Sequence, residues 1–215
     1  MAIKLYDFTA APSPLRTRIF LREKGIPYES VQVDLGTGEQ LSEAYRKINP
    51  SCTVPAIVLE DGSVLNQNSA IALYLEGTYP EPPLFGHGAA DAAKVMNASS
   101  QVEIGGFMAV AEILRNTSPR MKNRALPGLE NYAQIPELAE RGRLRLGGFM
   151  NTMNAALEGR EFLAIDTFSF ADITAFVAVD FAKWVKVTPE AHHTHLNRWF
   201  EAVSARPSIA AAKAS

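Results

Sequence analysis

Residues 49–71, NPSCTVPAIVLEDGSVLNQNSAI, constrain the fold more than any other stretch, because three backbone devices follow one another within it. The Val54-Pro55 bond stands immediately ahead of an apolar, strand-like run, Ala56 to Leu59, and a cis peptide is affordable only before proline. A kink there leaves the amide and carbonyl of Val54 for an extended peptide to dock on in antiparallel register, which is recognition by strand addition. Glu60-Asp61-Gly62-Ser63 then reads as a tight hairpin turn in which Gly62 supplies a positive φ, and Val64-Leu65 starts the returning strand. The polar run Asn66-Gln67-Asn68-Ser69 leads into a helix whose Ile71 and Leu75 share a face, with Asn68 as the expected N-cap. The free amides of such a helix start suit a carboxylate. An ordinary hairpin followed by a capped helix is the plainer alternative.

Upstream, Ile3 to Phe8 reads as a strand and Thr9 to Pro14 as a loop of small residues and prolines. A helix follows, with Ser13 as its expected N-cap, Pro14 in the first helical position and Gly25 at its stop; Leu15, Ile19 and Phe20 fall near one face. Arg16, Arg18 and Arg22 read as an exposed basic stripe, Arg16 being placed to orient the loop as well. Tyr28 to Asp34 is a second strand with Val31 and Val33 in period two, and strand, helix and strand at this spacing imply a right-handed parallel crossover. Between Asp34 and the proline motif, a Gly-containing turn leads into a short polar helix at the rim.

The prolines at 80, 82 and 83 and the glycines at 86 and 88 mark residues 80–88 as a linker between a domain spanning 1–79 and another spanning 89–215. Beyond it no strand signal recurs, and apolar residues such as Leu146, Phe149, Met150, Met153 and Leu157 return at helical spacing, so the second domain is expected to be all-helical. Ser169 and Asp172 fit a capping box, and Phe168 can staple Ile173. Ile173, Phe176, Val177, Phe181 and Trp184 would form one apolar face of that domain's core helix.

Charge excludes some functions. The net charge is −2, with 7 basic and 10 acidic residues through Phe85 and 14 and 13 after it, so neither part has the basic excess that nucleic-acid binding needs. One cysteine, Cys52, makes no internal disulfide and suits a reducing compartment. No apolar run approaches the length of a membrane span, and Met-Ala leads straight into a strand without the charged region and apolar core of a signal peptide. The expectation is a water-soluble, cytoplasmic protein.

The order of proline kink, strand, hairpin, strand and anion-binding helix start resembles the second half of the thioredoxin-like domain of the glutathione transferase family, where the segment runs N-P-x-G-x-V-P, D-G and E-S-x-A-I. Here it reads Asn49-Pro50-Ser51-Cys52-Thr53-Val54-Pro55, Asp61-Gly62 and Gln67-Asn68-Ser69-Ala70-Ile71, with Gln67 and Asn68 in place of the usual Glu and Ser. The segment from Ser169 to Asp172 resembles the S-x-A-D motif of that family's helical domain, and the tail Arg198-Trp199-Phe200 and Ala205-Arg206-Pro207-Ser208 resembles its ending. The resemblance implies an α/β thioredoxin-like N-terminal domain, an all-α C-terminal domain, glutathione as co-substrate with no metal, a small hydrophobic electrophile as second substrate, and a homodimer.

By the same resemblance Val54 clamps the glutathione backbone, Gln67 and Asn68 take its γ-glutamyl end, and Gln40 takes its glycine carboxylate; a solvated surface side chain is the alternative for Gln40. The chemistry needs a thiolate, and a thiol near pKa 8.5 is lowered by hydrogen-bond donors, cations or a helix start. Ser13 is the candidate donor, with Thr9 and then Tyr6 as alternatives and a purely capping role for Ser13 also open. The catalytic serine of one common family pattern falls at Pro12, and the loop also resembles a fungal and bacterial branch that lacks the usual catalytic side chain. Cys52 lies outside the loop where cysteine-dependent members carry their nucleophile and reads as a packing residue beside the ligand. His192, His193 and His195, after Pro189, read as a solvated helix start and not as a metal site. A non-catalytic interaction protein on the same fold, and a glutathione-dependent isomerase or peroxidase, are the competing readings.

Overall fold

The computed structural model describes residues 3–214, which fall into two compact units. The first runs to Pro82 and also takes in Pro127–Glu130 and the residues from Ala210 on; the second comprises Pro83–Leu126 and Asn131–Ile209.

The first unit is built on a mixed sheet of β1 (Ile3–Asp7), β2 (Tyr28–Gln32), β3 (Ala56–Val58) and β4 (Val64–Leu65), in the order β2-β1-β3-β4. β1 runs parallel to β2 with Tyr6 opposite Val31, and antiparallel to β3 with Tyr6 opposite Ala56. β3 and β4 pair antiparallel through the turn at Gly62, whose φ is +83°. This is the thioredoxin-like arrangement that the sequence implied. The Val54-Pro55 bond is cis, as expected, and so is Glu81-Pro82, which the sequence reading did not anticipate.

Three helices flank the sheet: α1 (Pro12–Glu23), α2 (Glu43–Ile48) and α3 (Asn68–Thr78). Two expected caps are displaced by one or two residues. α1 starts at Pro12 with Ala11 as N-cap, so Ser13 lies inside the first turn. Pro12 fits the first helical position as well as Pro14 does, and the Ala11 amide closes a turn onto the Phe8 carbonyl at 2.8 Å, which brings the helix start forward. α3 is capped by Gln67, and Asn68 is its first helical residue. The Asn68 side chain is spent on α1, through Thr17 and Ser13, and not on the amides of its own helix. Gly25, with φ +62°, ends α1 as expected.

The basic stripe on α1 is also corrected, since Arg16 and Arg18 are buried and only Arg22 is exposed. Alternation along β1 puts Leu5 and Asp7 on one face, which carries the Asp7 carboxylate fully inside. Arg18, 1% exposed, answers it: Nη1 meets Asp7 Oδ1 at 2.6 Å, Nη2 donates to the Thr9 carbonyl at 2.9 Å, and Nε donates to the Ala212 carbonyl at 3.0 Å. A second buried cation, Lys24, pairs with Glu76 at 2.7 Å and donates to the carbonyls of Tyr79 and Pro82, tying the end of α1 to the end of α3.

The second unit is helical, with one isolated bridge, Arg124 to Tyr132, as the strand-like pairing among its described residues. Its helices are α4 (Gly88–Val102), a π-helical segment (Glu103–Phe107), α5 (Met108–Thr117), α6 (Pro136–Ala156), α7 (Phe170–Ala182) and α8 (Thr194–Ser204); α9 (Pro207–Ala214) begins here and its last residues belong to the first unit. Gly142 lets α6 approach α5 closely, since a Cβ there would stand 2.9 Å from the Ala109 carbonyl oxygen. The α7 capping box is present, and Asp172 accepts from the Leu163 and Ser169 amides, the Ser169 hydroxyl and the Trp199 indole. Burial pushes the Asp172 carboxyl pKa up against these donors. Ile173, Phe176, Val177 and Phe181 are buried, but Trp184 lies in the turn after α7 and is 54% exposed, because the helix ends at Ala182. Among the described residues no helix is long and apolar enough to cross a membrane.

His193 departs from the solvated helix start expected of it. It caps α8 while buried, its Nδ1 accepting from the Glu190 amide at 2.8 Å and its Nε2 facing Asn151 Oδ1 at 2.9 Å; His192 precedes the helix. Burial, followed by the neighbouring His192, lowers its pKa. The unfolded chain therefore takes up a proton near pH 6.5 that the folded chain accepts only at lower pH. Stability contributed by neutral His193 should be full above about pH 6.5 and should decline as the pH falls below it. Urea unfolding across pH 7.5 to 5.5 tests this, and His193→Gln should flatten the slope; an equal slope in both proteins would assign the loss to other groups. Arg18→Met strands a buried carboxylate and should lower the unfolding free energy by about 3–5 kcal/mol, whereas an unchanged denaturation midpoint would show that Asp7 finds other partners.

Candidate functional site

The candidate site belongs to the first unit and is built from two helix starts and one loop. The loop before α1 is held from beneath, because Arg18 bonds the Thr9 carbonyl. The Thr9 amide and hydroxyl both donate to Gln32 Oε1, at 2.9 and 3.0 Å. The Thr9 hydroxyl proton is thereby committed. Tyr6 packs its ring edge-on against Tyr45, with centroids 6.0 Å apart.

Ser13 differs from both. Its Oγ accepts from Asn68 Nδ2 at 3.0 Å and from Arg16 Nη2 at 3.2 Å. A hydroxyl has two acceptor lone pairs and one proton, so with both lone pairs engaged the proton remains for a further acceptor. The backbone adds to this. The first turn of α1 reads Pro12-Ser13-Pro14, and proline has no N–H, so Ser13 supplies the first-turn amide that two neighbours lack. The start of α3 is richer in donors, since the first intrahelical bond runs from the Ile71 amide to the Gln67 carbonyl and the amides of Asn68, Ser69 and Ala70 precede it.

The third part is the loop that presents Val54. Buried Asn49 organises it, donating from Nδ2 to the Thr53 carbonyl at 2.8 Å while its Oδ1 accepts from the Ser51 amide and from Asn66 Nδ2. The Tyr45 hydroxyl donates to the same Thr53 carbonyl at 2.7 Å. Burial pushes the Tyr45 pKa up to about 12, so it remains a neutral donor. Cys52, buried at φ +55°, turns the chain between Asn49 and Thr53, and Val54 is buried directly before the cis Pro55 that leads into β3.

The structure thus joins Ser13 and Asn68 directly, while Gln40, Val54 and Gln67 make no hydrogen bond to that pair. Gln67 is exposed at the α3 cap, and Gln40 sits half-buried in the short turn Glu39–Leu41 with its Oε1 enclosed and unpartnered. Thr17, Tyr45 and Asn49 were not anticipated by the sequence reading as parts of the site. The signal for Asn49 was available, since an asparagine two residues before a loop Ser favours a side-chain-to-backbone turn. A cavity of about 160 Å³ lined by Tyr6, Val33, Glu39 and Tyr45 lies beside these residues, but Ser13, Gln40, Val54, Gln67 and Asn68 are not in its lining.

Comparison with known proteins adds the family. Residues 11–78 match the family model for the glutathione S-transferase N-terminal domain, and residues 117–207 match that for the C-terminal domain. A crystal structure of a glutathione S-transferase domain-containing protein from Marinobacter aquaeolei VT8 is 35% identical with a TM-score of 0.88, covering 96% of this chain and 99% of that one. Glutathione S-transferase 2 of Saccharomyces cerevisiae is 28% identical over 207 residues, 95% of this chain and 87% of its own length. A more local match, 42% over 84 residues, spans 38% of this chain and 40% of the maleylacetoacetate isomerase of Pseudomonas aeruginosa. The chain belongs to the glutathione S-transferase family, and its activity is that of a glutathione transferase.

Asn49→Ala removes a donor to Thr53 and an acceptor for Ser51 and Asn66. It should cost about 1–3 kcal/mol of stability and weaken glutathione binding measured by calorimetry. Unchanged affinity in the folded variant would mean that the loop holds Val54 without Asn49.

Proposed function

We propose that the Ser13 hydroxyl donates a hydrogen bond to the glutathione thiolate, keeping its own proton, and that the thiolate then attacks a small hydrophobic electrophile and displaces its leaving group or adds across its activated double bond. The carrying observation is that Ser13 Oγ accepts from both Asn68 and Arg16, so its own O–H is left to donate a hydrogen bond. The competing hydroxyl of Thr9 gives its proton to Gln32. In the same reading the domain spanning 1–79 binds glutathione, with the main chain of Val54 pairing with its peptide backbone. The γ-glutamyl carboxylate lies on the first amides of α3 beside Gln67, and Gln40 takes the glycine carboxylate. Asn68 contributes its backbone amide, since its side chain is engaged with Thr17 and Ser13. Residues 89–215 form the helical domain and 80–88 the linker. A detoxifying role, a cytoplasmic site of action and a homodimeric assembly complete the proposal.

Lowering a thiol by two pH units corresponds to roughly 2.7 kcal/mol of preferential thiolate stabilisation. One hydroxyl bonded to a charged acceptor contributes about 1.5–3 kcal/mol, so Ser13 with its own amide and the nearby Arg16 guanidinium is sufficient. Isomerisation is the second reading, favoured by the local match to a maleylacetoacetate isomerase; it uses the same thiolate and returns it unconsumed.

Ser13→Ala should raise the pKa of the bound thiol by about one to two units and lower turnover at neutral pH, while affinity for S-methylglutathione changes little. Thiolate absorbance against pH in the binary complex reads this out. An identical titration in wild type and variant would remove Ser13 from the chemistry.

A further inference from the structure

We infer that Thr17 and Asn68 are positioning residues that set the direction of the Ser13 hydroxyl, so that a buried relay of donors running from Thr17 through Asn68 to Ser13 ends on the glutathione sulfur. This rests on the reading of Ser13 as the thiolate donor and adds to it the reason why the hydroxyl points outward.

Thr17 lies one helical turn after Ser13, so the two hydroxyls share a face of α1. Between them stands the Asn68 amide, the first side chain of α3. Thr17 Oγ1 donates to Asn68 Oδ1 at 2.9 Å, and Asn68 Nδ2 donates to Ser13 Oγ at 3.0 Å. Thr17 is 3% exposed and Asn68 5%, so water does not compete for either group. An amide has an accepting end and a donating end, and which end faces Ser13 decides what Ser13 can do. With the amino end on Ser13, the hydroxyl must accept and its proton is free. With the oxygen end there, Asn68 would take that proton. The Thr17 hydroxyl, by donating to Oδ1, holds the amide in the first orientation. Arg16 occupies the second lone pair of Ser13 at 3.2 Å and blocks any return of the proton toward the helix. Donors aligned head to tail in a dry environment polarise one another, so a change at Thr17 is felt at the sulfur without Thr17 touching the ligand. Asn68 also heads the helix whose first amides face the γ-glutamyl carboxylate, so one side chain connects the anion end of the site to its thiol end.

The test is a double-mutant cycle between Thr17 and Ser13 on the full chain, read by thiolate absorbance of bound glutathione against pH, by kcat and KM, and by calorimetry with S-methylglutathione. Thr17→Val should leave about three- to tenfold less thiolate at neutral pH and lower kcat by the same factor, with KM for glutathione and S-methylglutathione affinity little changed. Thr17→Ser should restore the titration. In the Ser13→Ala background Thr17→Val should have no additional effect on the titration, because its influence passes through Ser13. Asn68→Asp keeps the shape but offers an oxygen where the amino group stood, so the Ser13 proton turns to it and the bound thiol should titrate at least as high as in Ser13→Ala. This variant carries the test if Thr17→Val does not fold. If Ser13→Ala shifts the titration while Thr17→Val and Asn68→Asp do not, the relay is overturned and the role of Ser13 stands. If Ser13→Ala itself titrates as wild type, the assignment of Ser13 falls and the relay with it.

Discussion

Asp7 and Arg18 face one another where no water reaches, and the geometry of the first unit is inherited from that encounter. Removing a carboxylate and a guanidinium from water costs several kcal/mol per ion, and the mutual attraction offsets this only when the remaining hydrogen-bonding capacity is also filled. Here it is filled from every side: Ser30 and Gln32 reach Asp7 Oδ2, while the carbonyls of Thr9 and Ala212 take the rest of the guanidinium. The pair therefore acts on geometry more than on net stability. It fastens β1, β2, the loop before α1, α1 itself and the end of the chain to one point. Ser13 stands a few residues from that anchor, and the placement of its hydroxyl follows from a loop with little freedom.

The two helix starts offer an anion unlike sets of donors. Alternating prolines strip α1 of most first-turn donors, so what remains is concentrated in one residue, the amide and hydroxyl of Ser13. α3 keeps a full set of amides for a carboxylate. A carboxylate is a hard, strongly hydrated anion and needs several donors to leave water, whereas a thiolate is more diffuse and is tuned by one well-aimed proton. The Asn68 side chain joins the two starts, so neither is adjusted independently of the other.

What could be read from the residue order was whatever is encoded locally. The hairpin at Gly62, the stop at Gly25 and the Ser169–Asp172 box each depend on residues within four positions of one another, and each stands as read. Misreadings arose where a side chain's partner is remote. Arg16 and Arg18 looked like a solvated stripe because charge on a helix usually faces water, yet Asp7, carried inward by alternation with Leu5, already required a cation. His193 looked solvated because its partner Asn151 lies 42 residues away. The caps slipped by one or two positions because the turn from Phe8 to Ala11 and a second proline at Pro12 bring the start of α1 forward, and because the Asn68 side chain is taken by Thr17 and Ser13. At the site the residue types were legible, but the use of Asn68 was not, since nothing local distinguishes an asparagine that caps its own helix from one that braces another.

Cys52 occupies a left-handed position, φ +55°, that the family motif fills with glycine, and its sulfur is enclosed with only a long contact to the Pro50 carbonyl at 3.5 Å. An L side chain there costs about 1–2 kcal/mol, but the conformation also turns the thiol inward. Thiol–disulfide exchange needs the attacking sulfur to approach a disulfide in line, and Cys52, a residue 3% exposed, is closed to that approach. The one cysteine of the chain is thus shielded inside its own loop, and a mixed disulfide at Cys52 would require that loop to open first.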